Sequence, residues 1–213
     1  MKKYELTEER ITVNGHTLHR IKAAKNFKGV KKGDLGGFIE KEENLATGGN
    51  AWVSGNARVH GAAEVCGNAS VYDAAAVRGA AKVYGSAKVF DNAQIYGNAH
   101  VFEDAWIKEN AQIYDNADIS SNEHMLTIGA IGSRKRFTTF FRVSNGGICV
   151  KCGCFYGDID GFLEKVTETH GNNRHARVYR AAAEIARMQI GEDVNLQKQA
   201  GHEAATGGLR PAT

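Results

Sequence analysis

Between residues 49 and 120 the apolar positions fall on a period of six. Alanine stands at 51 and at every sixth residue through 117, and Val or Ile follows two residues after each one, from Val53 to Ile119, over twelve hexads without exception. Small-x-aliphatic is the period-two alternation of a short strand, so Ala and Val of one hexad point to one side and their neighbours to the other. Two residues before each Ala stands Gly, Asp or Glu, and directly before it Asn, Ala, Ser or Asp. Such residues tolerate the backbone angles of a tight corner. The pattern predicts a parallel solenoid in which three six-residue faces close a triangular coil. Residues 49–120 then hold four coils of eighteen, rising about 5 Å per coil to a rod about 20 Å long.

The flanks lose this period. "ITVNGHTLHRIK" (11–22) alternates on both sides of Asn14-Gly15 and reads as a tight-turned β-hairpin. "KKGDLGGFIEKEENL" follows, and its glycines Gly33, Gly36 and Gly37 predict an irregular loop into the first coil. Residues 1–44 are accordingly expected to cover the open end of the rod. Beyond Ile119, residues 124–132, 136–143 and 147–155 are three strand-like runs, the last two joined by Ser144-Asn145-Gly146. Two helices are expected next. The first carries Ile159, Phe162, Leu163 and Val166 on one face, and the second runs from about Asn173 to Ile190 with Ala182, Ile185, Ala186 and Met188 for packing. The expected organisation is an N-terminal hairpin and cap (1–44), a β-helix (45–120), a small α+β domain (121–190) and a flexible tail (191–213).

The hexads resemble the hexapeptide-repeat family, whose spacing of an aliphatic residue and a small residue four later is met by Val53 with Ala57, Val59 with Ala63, and onward to Ile113 with Ala117. The resemblance implies a mainly β protein built on a left-handed parallel β-helix, and a homotrimer. The C-terminal stretch together with "GDLGGFIEKEENL" resembles largely uncharacterised proteins encoded by bacteriophages and prophages, which implies an accessory role with no activity to transfer.

Charge changes the picture more than bulk composition does. The chain has 213 residues, 42% of them hydrophobic, and a formal net charge of +3. Basic residues outnumber acidic ones ten to seven before position 45 and twelve to nine after position 120, whereas the rod has five against eight. An acidic rod between basic neighbours favours small anions over an extended polyanion, and no recognition-helix or zinc-finger spacing supports nucleic-acid binding. No run approaches the length of a membrane span, and the lysines of "MKKYELTEER" lack an apolar run behind them. A cytoplasmic protein, in the host cytoplasm if phage-encoded, is expected.

Several chemistries compete. Acyl transfer with acetyl-coenzyme A needs a basic histidine near the rod, but His60 and His100 fall on different faces and no inserted loop breaks the hexads. A carbonic-anhydrase-type zinc site needs three ligands and the rod has two histidines. Cys149, Cys152 and Cys154 with His124 or His170 would suit zinc chemically, yet strand alternation turns Cys149 away from Cys152, so packing thiols are expected and no metal or cofactor. The donors in "IGSRKRFTT" suit a phosphate: Ser133, Arg134, Arg136, Thr138 and Thr139, joined by Lys151. The outward aromatics Tyr72, Tyr84, Phe90, Tyr96, Phe102 and Tyr114 would pack between subunits, or one such as Tyr96 would stack on a base. The expectation is therefore a non-catalytic protein that sequesters a small phosphorylated ligand, such as a nucleotide signal of host defence. A hexapeptide-type acyltransferase and a structural or protein-inhibiting module are the alternatives.

Overall fold

A computed structural model describes residues 2–191. Three longer strands come first, β1 (Tyr4–Val13), β2 (His16–Ala23) and β3 (Leu35–Ile39), and then twelve two-residue strands, one per hexad, from β4 (Trp52–Val53) and β5 (Arg58–Val59) to β13 (Trp106–Ile107), β14 (Gln112–Ile113) and β15 (Asp118–Ile119). Each short strand pairs in parallel with the third strand along, so that Val53 lies beside Val71, Val59 beside Val77 and Val65 beside Val83. The rod is thus a parallel β-solenoid of three sheets. Its twelve repeat alanines and its twelve valines and isoleucines are each no more than 2% exposed. Burial of a Val or Ile side chain stabilises by about 1.5–3 kcal/mol, which makes this stack the principal core of the chain.

The corners explain the other half of the repeat. All twelve residues two before the alanines have φ between 45° and 73°. Seven are glycine. At Gly97 a Cβ would stand 2.5 Å from the Asp115 nitrogen of the next coil, so the site is closed to a side chain by contact as well as by φ. Five corners carry Asp or Glu in this left-handed region, and one column shows a compensation. Asp73 Oδ2 accepts the Asp91 N–H at 3.3 Å, and Asp91 Oδ2 accepts the Glu109 N–H at 2.9 Å. Each carboxylate ties its corner to the one above.

Both ends of the rod are finished by side chains. At the N-terminal end β3 pairs in parallel with β5 through Phe38–Arg58 and Ile39–Val59, and Leu45 bridges Val65. This adds a partial coil to the four complete ones, giving about five turns. The expected irregular loop is therefore wrong over Leu35–Ile39. Its glycines serve close approach, since a Cβ at Gly36 would lie 2.4 Å from Ile21 Cγ1 and one at Gly37 would lie 2.7 Å from the Ala57 oxygen. Beside them Lys3, fully buried, donates to the Ala51 carbonyl at 2.7 Å, and the Tyr4 hydroxyl donates to Leu45 O, also at 2.7 Å. Asn14 and Gly15 have φ of 50° and 83°, the hairpin turn expected from the sequence.

At the other end the ladder runs out. Inside the rod the N–H of Trp52 donates to Ala69, that of Ser70 to Ala87 and that of Lys88 to Ala105. No further coil awaits Trp106, and Asn122 Oδ1 accepts its N–H at 2.8 Å. On the next face the Gln112 N–H finds Thr139 Oγ1 at 3.3 Å. These side chains satisfy N–H groups at the end of the ladder that would otherwise turn to water.

Thr139 belongs to an antiparallel sheet of β16 (Met125–Ile131), β17 (Arg136–Arg142), β18 (Ile148–Cys152) and β19 (Phe155–Asp158), followed by α1 (Ile159–His170) and α2 (Arg174–Ile190). The sheet has two packed faces. Phe141, Met125 and Val143 join the core of the rod, and Phe140, Ile148 and Val150 join the helices. Sequence reading missed β19, because the two-residue turn at Gly153-Cys154 divides one apparent apolar run. It also misassigned two helical residues. Ala176, Tyr179, Ala183, Ala186 and Ile190 are buried at alternating spacings of three and four, while Ile185 and Met188 lie off that face at 45% and 76% exposure. The expected flexible tail lies outside the described residues beyond Gly191. No helix among those described is long and apolar enough to cross a membrane.

Two outcomes test this account. Asp91→Ala should lower the unfolding free energy by about 1–2 kcal/mol, through lost hydrogen bonding and left-handed backbone strain, and Asp91→Gly should lose less, both read from urea unfolding. Lys3 is held down to about 8 by burial and then by Lys25, against an ordinary 10.5. Between those values the folded chain sheds a proton that the unfolded chain keeps, so this residue's contribution to stability rises with pH. The difference between wild type and Lys3→Met should therefore change from pH 8 to 10.5 and stay level below pH 7 (about one unit under the lower value).

Candidate functional site

The α+β domain opens a cavity of about 520 Å³ between β18–β19, the β16–β17 turn and the two helices. That is within the usual range of small-ligand sites. Its floor is apolar and aromatic: Phe155 from β19, Phe162 and Val166 from α1, and Tyr179 from α2. Phe162 meets Phe155 at 5.5 Å and meets Tyr179 edge-on at 5.6 Å between ring centroids. Ser133, Arg134, Arg136 and Lys165 line the rim, and no described acidic residue does.

Helix capping sets the positions of these groups. Asp158 accepts the Gly161 N–H at 2.7 Å and starts α1, and Asn173 accepts from His175 and Ala176 and starts α2. His170, the last residue of α1, lies over Tyr179 at 5.8 Å. The Tyr179 hydroxyl reaches Cys152, which donates to it at 3.8 Å, and burial followed by that thiol pushes the phenol up to about 12. The phenol stays protonated at neutral pH. Gly132 is required beside it, with φ of 72° and a virtual Cβ 1.7 Å from the phenol oxygen. The turn that carries Ser133 and Arg134 can therefore lie directly on the ring.

The residues singled out from sequence separate into three groups. Ser133, Arg134 and Arg136 come together at the cavity rim. Arg136 also borders a second hollow of about 290 Å³, with Thr139 and Lys151. Lys151 donates to the Gly153 carbonyl at 2.6 Å and lies 5.4 Å from the Tyr114 ring. Thr138 and Thr139 are 0% and 2% exposed; Thr138 donates to Cys152 Sγ at 3.2 Å and Thr139 closes the rod. Their hydroxyls are committed to structure. Tyr96 lines neither hollow. Its hydroxyl donates to that of Tyr114, and the Arg78 guanidinium covers its ring at 4.2 Å.

Four of the other outward aromatics pair along the rod. Tyr72 stacks on Phe90 and Tyr84 on Phe102, each pair at 5.0 Å and within 5° of parallel, so that each ring lies against a neighbour of the same chain. Eighteen-residue register brings them together. The cysteines diverge as alternation required: Cys149 packs toward the rod and Cys152 toward the helices, while Cys154 is exposed in the turn. Sequence reading missed Phe155, Phe162, His170 and Tyr179 as lining residues. Helical periodicity marked Phe162 alone among them as core, and nothing in spacing showed that the core opens there.

At the level of known proteins, the model described as YdcK Beta solenoid repeat matches residues 93–109. No curated protein matches the chain. The matched stretch lies wholly inside the rod, just short of one coil, and the chain is similar there to a β-solenoid repeat, in agreement with the sheets described above.

Proposed function

We propose that the chain binds and retains a small phosphorylated ligand in the α+β domain, with the rod as its rigid support. The observation that carries this reading is the pairing of an aromatic floor with a rim of Arg134, Arg136 and Ser133, beside Lys165, whose ammonium is paired with Glu168 at 2.9 Å. Phenylalanine and tyrosine faces accept a planar base or another apolar group. Guanidinium groups bind phosphate oxygens through paired, charge-assisted hydrogen bonds. A nucleotide has both parts, and sequestration of a nucleotide signal by a phage-type accessory protein is the specific form of the proposal. Because one chain supplies the whole cavity, retention does not depend on the homotrimer implied by the hexad resemblance.

Native mass spectrometry against a panel of nucleotides and acetyl-coenzyme A reads ligand and subunit number together. The expected result is an intact nucleotide held by the wild type and recovered unchanged on denaturation. Arg134→Ala and Arg136→Ala should each weaken retention roughly ten- to hundredfold, the loss of a charged hydrogen-bonding group. Equal retention by both variants, or no retained nucleotide, overturns the proposal, and conversion of the ligand to product replaces it with catalysis.

A further inference from the structure

His16, Glu40 and His60 are distant in sequence and meet where the hairpin joins the rod. His16 opens β2 directly after the Asn14-Gly15 turn, Glu40 follows β3 and His60 follows β5. Because Ile39 pairs with Val59, Glu40 and His60 leave their parallel strands side by side. His16 Nδ1 lies 2.8 Å from Glu40 Oε1, the two imidazole rings are 4.8 Å apart, and one ligand atom from each of the three residues falls within 4.8 Å of the others.

The hydrogen bond between His16 and Glu40 accounts for two of these side chains. It leaves His60 unexplained: a histidine 5% exposed, drawn against the pair, with no hydrogen bond from its ring among the described residues. Such an imidazole has a ring nitrogen left to offer a metal ion. Glu40 is oriented from its other side, since its second oxygen accepts the Gly61 N–H at 2.6 Å. An outer hydrogen bond of this kind fixes a ligating carboxylate.

We infer that His16, Glu40 and His60 form a binding site for a divalent transition-metal ion of the zinc class, which ties the hairpin to the first complete coil. Two imidazoles and one carboxylate are a borderline donor set, which favours zinc over the hard cations magnesium and calcium. The site is separate from the cavity of the α+β domain. Three protein ligands leave further coordination positions, and His60 also lines a hollow of about 290 Å³ with Arg58, Arg78 and Asn14. The two guanidiniums oppose a cation, and Glu40 offsets part of that charge. An anion entering the hollow would complete the coordination shell beside them.

The test uses the full chain, stripped with a chelator and titrated with zinc chloride by calorimetry, with metal content and melting temperature measured in parallel. The wild type should take up one equivalent and melt higher with zinc. His16→Ala and Glu40→Gln, at positions less buried than His60, should weaken uptake at least about tenfold and abolish the thermal shift. Replacing zinc by cobalt should give a visible spectrum without a thiolate charge-transfer band. Absence of uptake, undiminished uptake in both variants, or a thiolate band that assigns the metal to the cysteines overturns the inference.

Discussion

Stacking of inward Val and Ile at a fixed interval of eighteen residues is the constraint from which the rest of the molecule follows. Each coil has a single two-residue strand per face and cannot bury its own apolar edge, so stability comes from its neighbours above and below. One residue of slippage would turn every valine outward. The corners prevent it. Their left-handed backbone, and the Asp73–Asp91–Glu109 column of carboxylate contacts, hold each coil at one height relative to the next. The same register sets the outer surface, where Tyr72 meets Phe90 and Tyr84 meets Phe102.

A rod of this kind must end, and its ends account for much of the remaining chain. Asn122 and Thr139 accept N–H groups that a further coil would have accepted, and Lys3 donates to a carbonyl at the opposite end. Lys3 is an expensive choice by desolvation, as the lowered affinity for its proton shows. It is supported by two carbonyls, Ala51 and Gly48, and by the Phe27 ring. Polar residues at these positions therefore serve closure first, including Thr139, whose hydroxyl reads in the sequence as a phosphate donor.

The solenoid was legible in the sequence because its cause is local and repeated: a six-residue pattern states which side chains turn inward at every coil. The partial first coil was hidden by two additional residues, which place Ile39 twenty positions before Val59 in place of eighteen. The candidate cavity was legible only in its charged half. Ser133, Arg134 and Arg136 lie within one short segment, whereas Phe155, Phe162 and Tyr179 come from three elements whose meeting depends on how two helices cross the sheet. Ile185 and Met188 mislead for a related reason, since hydrophobic character alone does not say which side of a helix the sheet will cover. His16, Glu40 and His60 share no spacing motif, and the β2–β3–β5 pairing alone brings them together.

Strand β17 belongs to two interiors at once. Phe140 faces the helices and Phe141 faces the rod, while Thr138 reaches Cys152 on one side and Thr139 reaches Gln112 on the other. Melting either interior would strip this strand of half its contacts, so the solenoid's last coil and the α+β domain should open as one cooperative unit. A ligand held in the cavity would then firm up the last coil of the rod as well, without any change of shape being transmitted.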